Sequence, residues 1–424
     1  MKPILILLGM LFTGICFAQR PDSVYRSQIR TVKLFKSGDP YSYPVINLQG
    51  SEQLELHFDD MDADVKFYYY SYVLCNADWT PANVPAFDYI RGFQSNRITF
   101  YRSSSITRIR YTHYQATLPE RNSTLARGGN YLLKVFLNDD TSKLVFTRRF
   151  LVVNTKATVT GLITQPYNNR LFQTHQRVQA NVSAVPGQLN AFSPQDLKVV
   201  MVQNYVWSGA AQLDRPTIFR GNYYEYSDEE LTTFPAGKEW RWVDLRSLRL
   251  RSDRVRRIVD HDSTKRVDVY VAPDGERRQQ AYVYYRDLNG IYVVENRDNP
   301  NPLWQSDYAW VHFTFIPAGN QPYEGKELYL FGELTQYRAD ASSRMTFHPE
   351  SGAYEGMLYL KQGYYNYSYI TLPVSGTSFA SVENTEGNYW GSENQYMILV
   401  YFRPFGGRSD ELIGFTRIGS LIQR

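Results

Sequence analysis

The run Asp60-Met61-Asp62-Ala63-Asp64 sets three carboxylates at alternate positions, the spacing with which a calcium loop begins. Its continuation fails that chemistry, because Val65 stands where the sharp turn needs glycine and Ser71 where a bidentate glutamate should close the shell. An acidic turn between two strands is the better reading. The six histidines (His57, His113, His175, His261, His312 and His348) are scattered singly, with no partner at zinc-ligand spacing. His113, within Tyr111-Thr112-His113-Tyr114, reads as a hydrogen-bonded packing residue. No G-x-S-x-G elbow, phosphate-cradling glycine loop or dinucleotide fingerprint is present, and no carboxylate pair is marked for glycoside hydrolysis. The chain is therefore expected to bind rather than catalyse, with no cofactor and no metal.

One charge feature rises above the background. Arg246, Arg249, Arg251, Arg254, Arg256 and Arg257 face a single acid, Asp253. In Leu248-Arg249-Leu250-Arg251, strand alternation would set both arginines on one face with the leucines beneath. Two readings stay open: a solvated face, or an arginine-rich docking surface that exploits bidentate pairing. The whole chain carries a net charge of only +4, which is no nucleic-acid footprint.

The elements that would position these residues are strands. With 35 Tyr, 23 Phe and 7 Trp, the chain is rich in side chains that suit a pleated, half-buried surface, and helical periodicity is scarce. Candidate strands include Gln53 to Phe58, Val65 to Leu74, Asn130 to Leu137, Lys143 to Val153, Lys198 to Val206, Gln280 to Arg286 and Tyr308 to Phe315. Pro273-Asp274-Gly275 and Asn289-Gly290 look like hairpin tips. Residues 1–18 have the charged start, apolar run and small residue before the cut that mark a cleaved export signal. Beyond them a single cysteine remains, Cys75, expected as a small buried hydrophobe. No second apolar run reaches the ~20 residues of a membrane helix.

The blocks Y-Y-Y-S-Y-V-L-C-N-A-D-W-T-P from Tyr68, F-D-Y-I-R-G-F from Phe87, Y-T-H-Y from Tyr111, G-G-N-Y-L-L-K-V-F and T-R-R-F-L-V-V resemble the N-terminal domain of the plug proteins of the type IX secretion system. The matching blocks run from about Thr31 to Val153. Leu74, where the family pattern has His, and the residue before Tyr101 depart from it. The resemblance implies a periplasmic subunit at the inner face of the outer membrane. Such a subunit binds and occludes the periplasmic mouth of the translocon barrel. Candidate contacts with that partner are Trp79, Phe87, Tyr89 and Arg91 in the aromatic loop, and Arg249, Arg251, Arg254, Arg256 and Arg257 in the arginine segment. Trp79 also reads as an indole that pins its own loop through burial.

The expected architecture is all-β, with tandem immunoglobulin-like β-sandwich domains. After the signal come a first domain at 19–154, a middle domain at 155–318 and a last domain at 319–424, the last boundary lying in the Pro- and Gly-rich stretch Pro317 to Gly325. In the last domain, the blocks from Glu327 to Leu334 and from Gly363 to Tyr369 resemble immunoglobulin-like early-set domains found beside starch-handling enzymes. That likeness keeps a second reading, a glycan-binding protein of the periplasm or cell surface, with Tyr365, Tyr367, Tyr389 and Trp390 as its aromatic candidates.

Overall fold

The computed structural model describes residues 21–185, 194–375 and 380–421; the expected export signal at 1–18 lies outside them. The chain is built almost wholly of strands, and its two α-helices among the described residues are single turns, Ala86–Tyr89 and Glu229–Thr232.

The first module shows how the sequence pattern makes a sandwich. In the strand Tyr68–Cys75 every second side chain, from Tyr68 through Tyr70 and Tyr72 to Leu74, is buried, as the two-residue period of a pleated strand dictates. Facing them across the core, the strand Leu54–Asp60 contributes Leu54, Leu56 and Phe58. Phe58 stacks on Tyr114 at 5.1 Å and meets Tyr68 edge-on at 5.0 Å, arrangements that suit the ring quadrupoles. One sheet carries Ile29–Lys36, Leu54–Asp60, Thr112–Leu118 and Phe100–Ser103; the other carries Val45–Asn47, Leu144–Val153, Gly129–Leu137, Tyr68–Cys75 and Asn96–Arg97.

The alternate residues of Leu54–Asp60 point the other way, and that outer face is not left to solvent. His57 and Asp59 are buried there, at 5% and 1% exposure. A third module covers them. It is a sandwich of one sheet centred on Tyr364–Pro373 and another running through Val255–His261, Arg266–Val271, Tyr308–Ile316 and Ala353–Lys361.

The middle module departs from the sequence reading. Its first sheet, of Ala157–Thr164, His175–Ala184, Tyr223–Tyr226 and Ile218–Arg220, follows Asn154 directly. Its second sheet orders Ala211–Leu213, Leu197–Gln203, Gln395–Phe402 and Glu411–Gly419, so half of it comes from the end of the chain. Leu197 lies opposite Phe402 and Gln203 opposite Tyr396 in this ladder. The third module, from Arg241 to Pro373, is therefore inserted between two parts of the middle one. The expected boundary at 318/319 falls inside that insert, between the strands Tyr308–Ile316 and Lys326–Phe331, which belong to the two sheets of one core. Pro and Gly mark a turn equally well within a module as between two, and a long-range ladder leaves no local trace.

Two smaller expectations also change. Residues 280–286 form no strand. Asp274 is not a solvated hairpin tip: with Gly275 it pairs parallel to Phe315 and Ile316, and its side chain is buried. Asn289 and Gly290 do form a tight turn with φ of 51° and 85°, and a Cβ at Gly290 would stand 2.8 Å from the Trp240 ring, which restricts that position to glycine.

This topology predicts the behaviour of truncations. A chain ending at residue 318 lacks both C-terminal strands of the middle sheet, leaving the Leu197–Gln203 edge bare and half of the third core missing. It should express insoluble or without a cooperative thermal transition by circular dichroism, whereas a chain ending at residue 421 should melt cooperatively. A 19–318 fragment that melts cooperatively would contradict the insertion.

Candidate functional site

Geometry concentrates the chemistry of the molecule at the seams between modules. Asp59 is the centre of the seam between the first and third modules. It accepts hydrogen bonds from His113 Nδ1 at 2.7 Å, from the Tyr308 hydroxyl at 2.6 Å and from Lys361 Nζ at 2.5 Å. The first of these belongs to the first module and the other two to the third. Lys361 and Asp59 are each 1% exposed as side chains. Burial alone would raise the Asp59 pKa, but Lys361 and His113 outweigh it and hold the carboxyl below its ordinary range. Burial pushes the His113 pKa down against the pull of Asp59, so His113 sits there as the neutral ring. His113 Nε2 meets His57 Nδ1 at 3.2 Å, and His57 Nε2 meets Glu55 at 3.3 Å, extending the chain of polar groups toward the surface. An acid, a histidine and a lysine in contact resemble a catalytic set, yet all three are enclosed by packed rings, with Lys361 4.3 Å from the Tyr111 centroid. The arrangement is suited to fastening two modules.

A second seam joins the first and middle modules. Leu151, Val153 and Ala77 pack against Val200, Met397, Leu399 and Leu412, and the Tyr401 hydroxyl donates to Asn130 at 2.7 Å. Trp79 belongs here. Its ring meets Trp207 edge-on at 4.9 Å, and the Arg149 guanidinium lies 4.9 Å over it. It is thus a contact within the chain and not a partner-facing residue, which corrects one expectation and retains the pinning role. Tyr89 is likewise withdrawn: it is 6% exposed and its hydroxyl donates to the Tyr72 carbonyl at 3.4 Å. Phe87 and Arg91 are exposed, Phe87 to 71%. They sit on a loop set by the ladder between Ile90–Gly92 and Ser123–Leu125, where a Cβ at Gly92 would fall 2.1 Å from the Asn122 carbonyl oxygen. Beyond that glycine, Phe93 is 65% exposed; sequence reasoning missed it because a lone Phe reads as core.

The arginine segment is split by the structure. Residues 248–251 form turns rather than a strand, held by Ser247 Oγ and the Leu248 amide donating to Asp298 at 2.7 and 3.0 Å. Leu250 accordingly lies 73% exposed instead of beneath the arginines. Arg254 turns inward to Asp274, part of a buried network in which Arg241 bridges Asp274 at 2.6 Å and Glu386 at 2.9 Å. Burial would raise the Glu386 pKa, but Arg241 and Arg277 bring it to about 2. Arg249, Arg251, Arg256 and Arg257 remain exposed, Arg257 lying 4.1 Å over the Tyr270 ring. These four belong to the third module and Phe87 and Arg91 to the first.

The remaining candidates resolve simply. The three carboxylates of Asp60, Asp62 and Asp64 do converge, but the Lys66 ammonium lies among them, 2.9 Å from Asp60 and 3.3 Å from Asp64, and supplies the positive charge a cation would bring. Cys75 is buried, and burial pushes its thiol up to about 12. Of the aromatics offered for glycan binding, Tyr365 and Tyr367 are core residues at 2% and 0% exposure, and Tyr389 stacks on Tyr282 at 4.3 Å. Alternate tyrosines in that strand line one packed face.

An all-β body of sandwiches fastened by buried charged and aromatic residues at their seams defines a multi-module β-sandwich protein. Residues 29–154, which make up the first module, match the family model described as the Type 9 secretion system plug protein 1st domain. The whole chain is similar to a hypothetical protein from Parabacteroides merdae ATCC 43184 known from a crystal structure: 31% identity, 95% of this chain and 99% of that one covered, TM-score 0.89. None of the curated proteins matches the chain. The chain belongs to the type IX secretion system plug protein family, and that membership points to type IX secretion.

The seams make three predictions. Asp59→Asn should destabilise the protein by about 3–5 kcal/mol, the cost of leaving a buried Lys361 charge without its counter-ion, read as a lowered urea midpoint. Because the folded pKa of His113 lies below 6.5, the unfolded state binds more protons once the pH drops through that value, so stability should fall on acidification. His113→Asn should flatten this slope between pH 7 and 5. Trp79→Ala should cost about 3 kcal/mol and should add less than its full effect to Trp207→Ala, because the rings share one contact. Full additivity in urea titrations would contradict that seam.

Proposed function

We propose that the protein is a periplasmic plug subunit of the type IX secretion system, which binds the periplasmic end of the outer-membrane translocon barrel and occludes it. The single observation that carries this reading is the match of residues 29–154 to the first domain of the plug family. The architecture supports it physically. A seal must resist deformation, and three sandwiches fastened through Asp59–Lys361 and the Leu151–Met397 cluster supply such a body with no disulfide among the described residues. Occlusion is a binding function and asks for no catalytic group. A contact that must also release is expected to be polar and of moderate area.

Within this reading the exposed loop of the first module, with Phe87, Arg91 and Phe93, is the primary contact, and the exposed arginines 249, 251, 256 and 257 steer the approach. Charges of this kind act chiefly on association rates. Of the four aromatics behind the glycan-binding alternative, Tyr365 and Tyr367 are buried, whereas Tyr389 and Trp390 are half-buried.

The test is affinity isolation of the tagged protein from envelope extracts in mild detergent. A large outer-membrane barrel should co-purify, and deletion of the protein should make cells permeable to antibiotics that the outer membrane normally excludes. Phe87→Ser combined with Arg91→Glu should lower barrel recovery at least tenfold while the melting temperature stays within about 2 °C, as expected for surface changes. Absence of the barrel from the isolate overturns the plug reading. Undiminished recovery with the double variant removes only this loop.

A further inference from the structure

The three modules meet around a cleft of about 1210 Å³, larger than the ~300–1,000 Å³ common for small-molecule sites. Its floor holds a charge that no carboxylate of the described residues contacts directly, Asp22 and Glu333 acting on it from farther off. Arg148 is 9% exposed and donates only to the Thr147 carbonyl at 2.8 Å and the Val32 carbonyl at 3.3 Å. Among the described residues no carboxylate forms an ion pair with it, whereas the neighbouring cations are matched, Arg149 by Asp22 at 3.0 Å and Lys33 by Glu333 at 2.5 Å. A guanidinium carries five donors, so donors remain for a ligand. A buried charge left unmatched is costly.

Four buried polar atoms of residues lining the same cleft have no hydrogen-bond partner among the described residues: Arg149 Nε, Trp207 Nε1, the Tyr337 hydroxyl, a donor, and Gln336 Oε1, an acceptor. Gln336 and Tyr337 both adopt the left-handed region, with φ of 56° and 53°, and so does Tyr205 on the facing wall, with φ of 62°. Backbone strain of ~1–3 kcal/mol per residue collects where a binding geometry is being held.

The walls of the cleft are strand edges. Among the described residues, Ile29–Lys36 pairs with Leu54–Asp60 on one side and with no strand on the other; its ladder shifts register between Arg30 and Lys33, where Thr31 takes a φ of 51°, and residues 29–34 line the cleft. Opposite, Ala353–Lys361 has Thr346–His348 beside it only as far as Glu355, and its residues 357–361 line the cleft. An edge of this kind is a template for an added strand. Six residues of it span about 20 Å at 3.3 Å per residue.

We propose that this cleft is a docking groove for an extended acidic peptide segment of a partner protein, added beside the Ile29–Lys36 edge with a carboxylate on Arg148 and peptide groups on Gln336 and Tyr337. Charge complementarity selects the acidic partner: Arg26, Arg30 and Arg338 stand at the rim, and Arg338 donates only to Ser23 Oγ, at 3.1 Å. The inference does not depend on the plug reading.

Random nonapeptides displayed on phage and panned against the mature full-length chain provide the test. Enriched peptides should carry Asp or Glu among β-branched residues and weaken as salt is raised. When bound, they should protect the amides of residues 29–34 from hydrogen exchange. Affinity should drop at least tenfold in Arg148→Met and in Arg338→Glu; the second side chain is at the rim, so that variant folds even if the first does not. Failure to enrich acidic peptides, protection confined to another surface, or unchanged affinity in Arg338→Glu would overturn the proposal. So would binding that appears only after residues 19 and 20 are removed, since the groove would then belong to the chain's own N-terminal segment.

Discussion

The buried ion pair between Asp59 and Lys361 is the constraint on which the molecule is organised. Two opposite charges at 1% exposure are tolerable only in contact and with their remaining hydrogen-bonding capacity met. Asp59 meets that condition through His113 and Tyr308. Lys361 meets it through the Leu303 carbonyl at 2.5 Å. Because the partners come from different modules, the first and third sandwiches cannot rotate against each other without exposing or orphaning a charge. The polar seam adds geometric definition that an apolar contact of equal area would lack.

The insertion topology extends the same constraint to the middle module. Its second sheet is completed only by Gln395–Phe402 and Glu411–Gly419, so the chain enters and leaves the third module through one side of the middle core. Leu412 also touches the first module, and Ile291 of the third module packs into the same cluster. Each module is therefore held by both others. For the occluding role proposed above, this matters more than any single surface residue, because a plug that hinges between domains would leak.

Local pattern made much of this legible in the sequence. The tyrosine alternation from Tyr68 to Leu74 and the apolar series Leu54, Leu56 and Phe58 each dictate which face of a strand is buried, and the structure follows. The blocks that resemble the plug family coincide with one self-contained sandwich, so the resemblance and the fold describe the same unit. What could not be read is everything that depends on long-range pairing. The middle sheet joins residues nearly 200 positions apart, and no property of Leu197–Gln203 announces that partner. The same limit explains the site residues. Trp79 and Arg254 have the residue types of an interface, and they serve one, but inside the chain: Trp79 against Trp207 and Arg254 against Asp274. Sequence shows what a side chain can do; only the fold decides whether its partner is internal. Phe87 and Arg91 are left exposed by the fold.

Differential scanning calorimetry of the mature protein at neutral pH measures the central claim, that the three sandwiches form one cooperative body. A single transition with equal calorimetric and van't Hoff enthalpies, which splits into separable transitions in Lys361→Met, is the result expected. Two or more resolved transitions in the unaltered protein, or a single one that Lys361→Met leaves unsplit, would show that the modules are fastened otherwise.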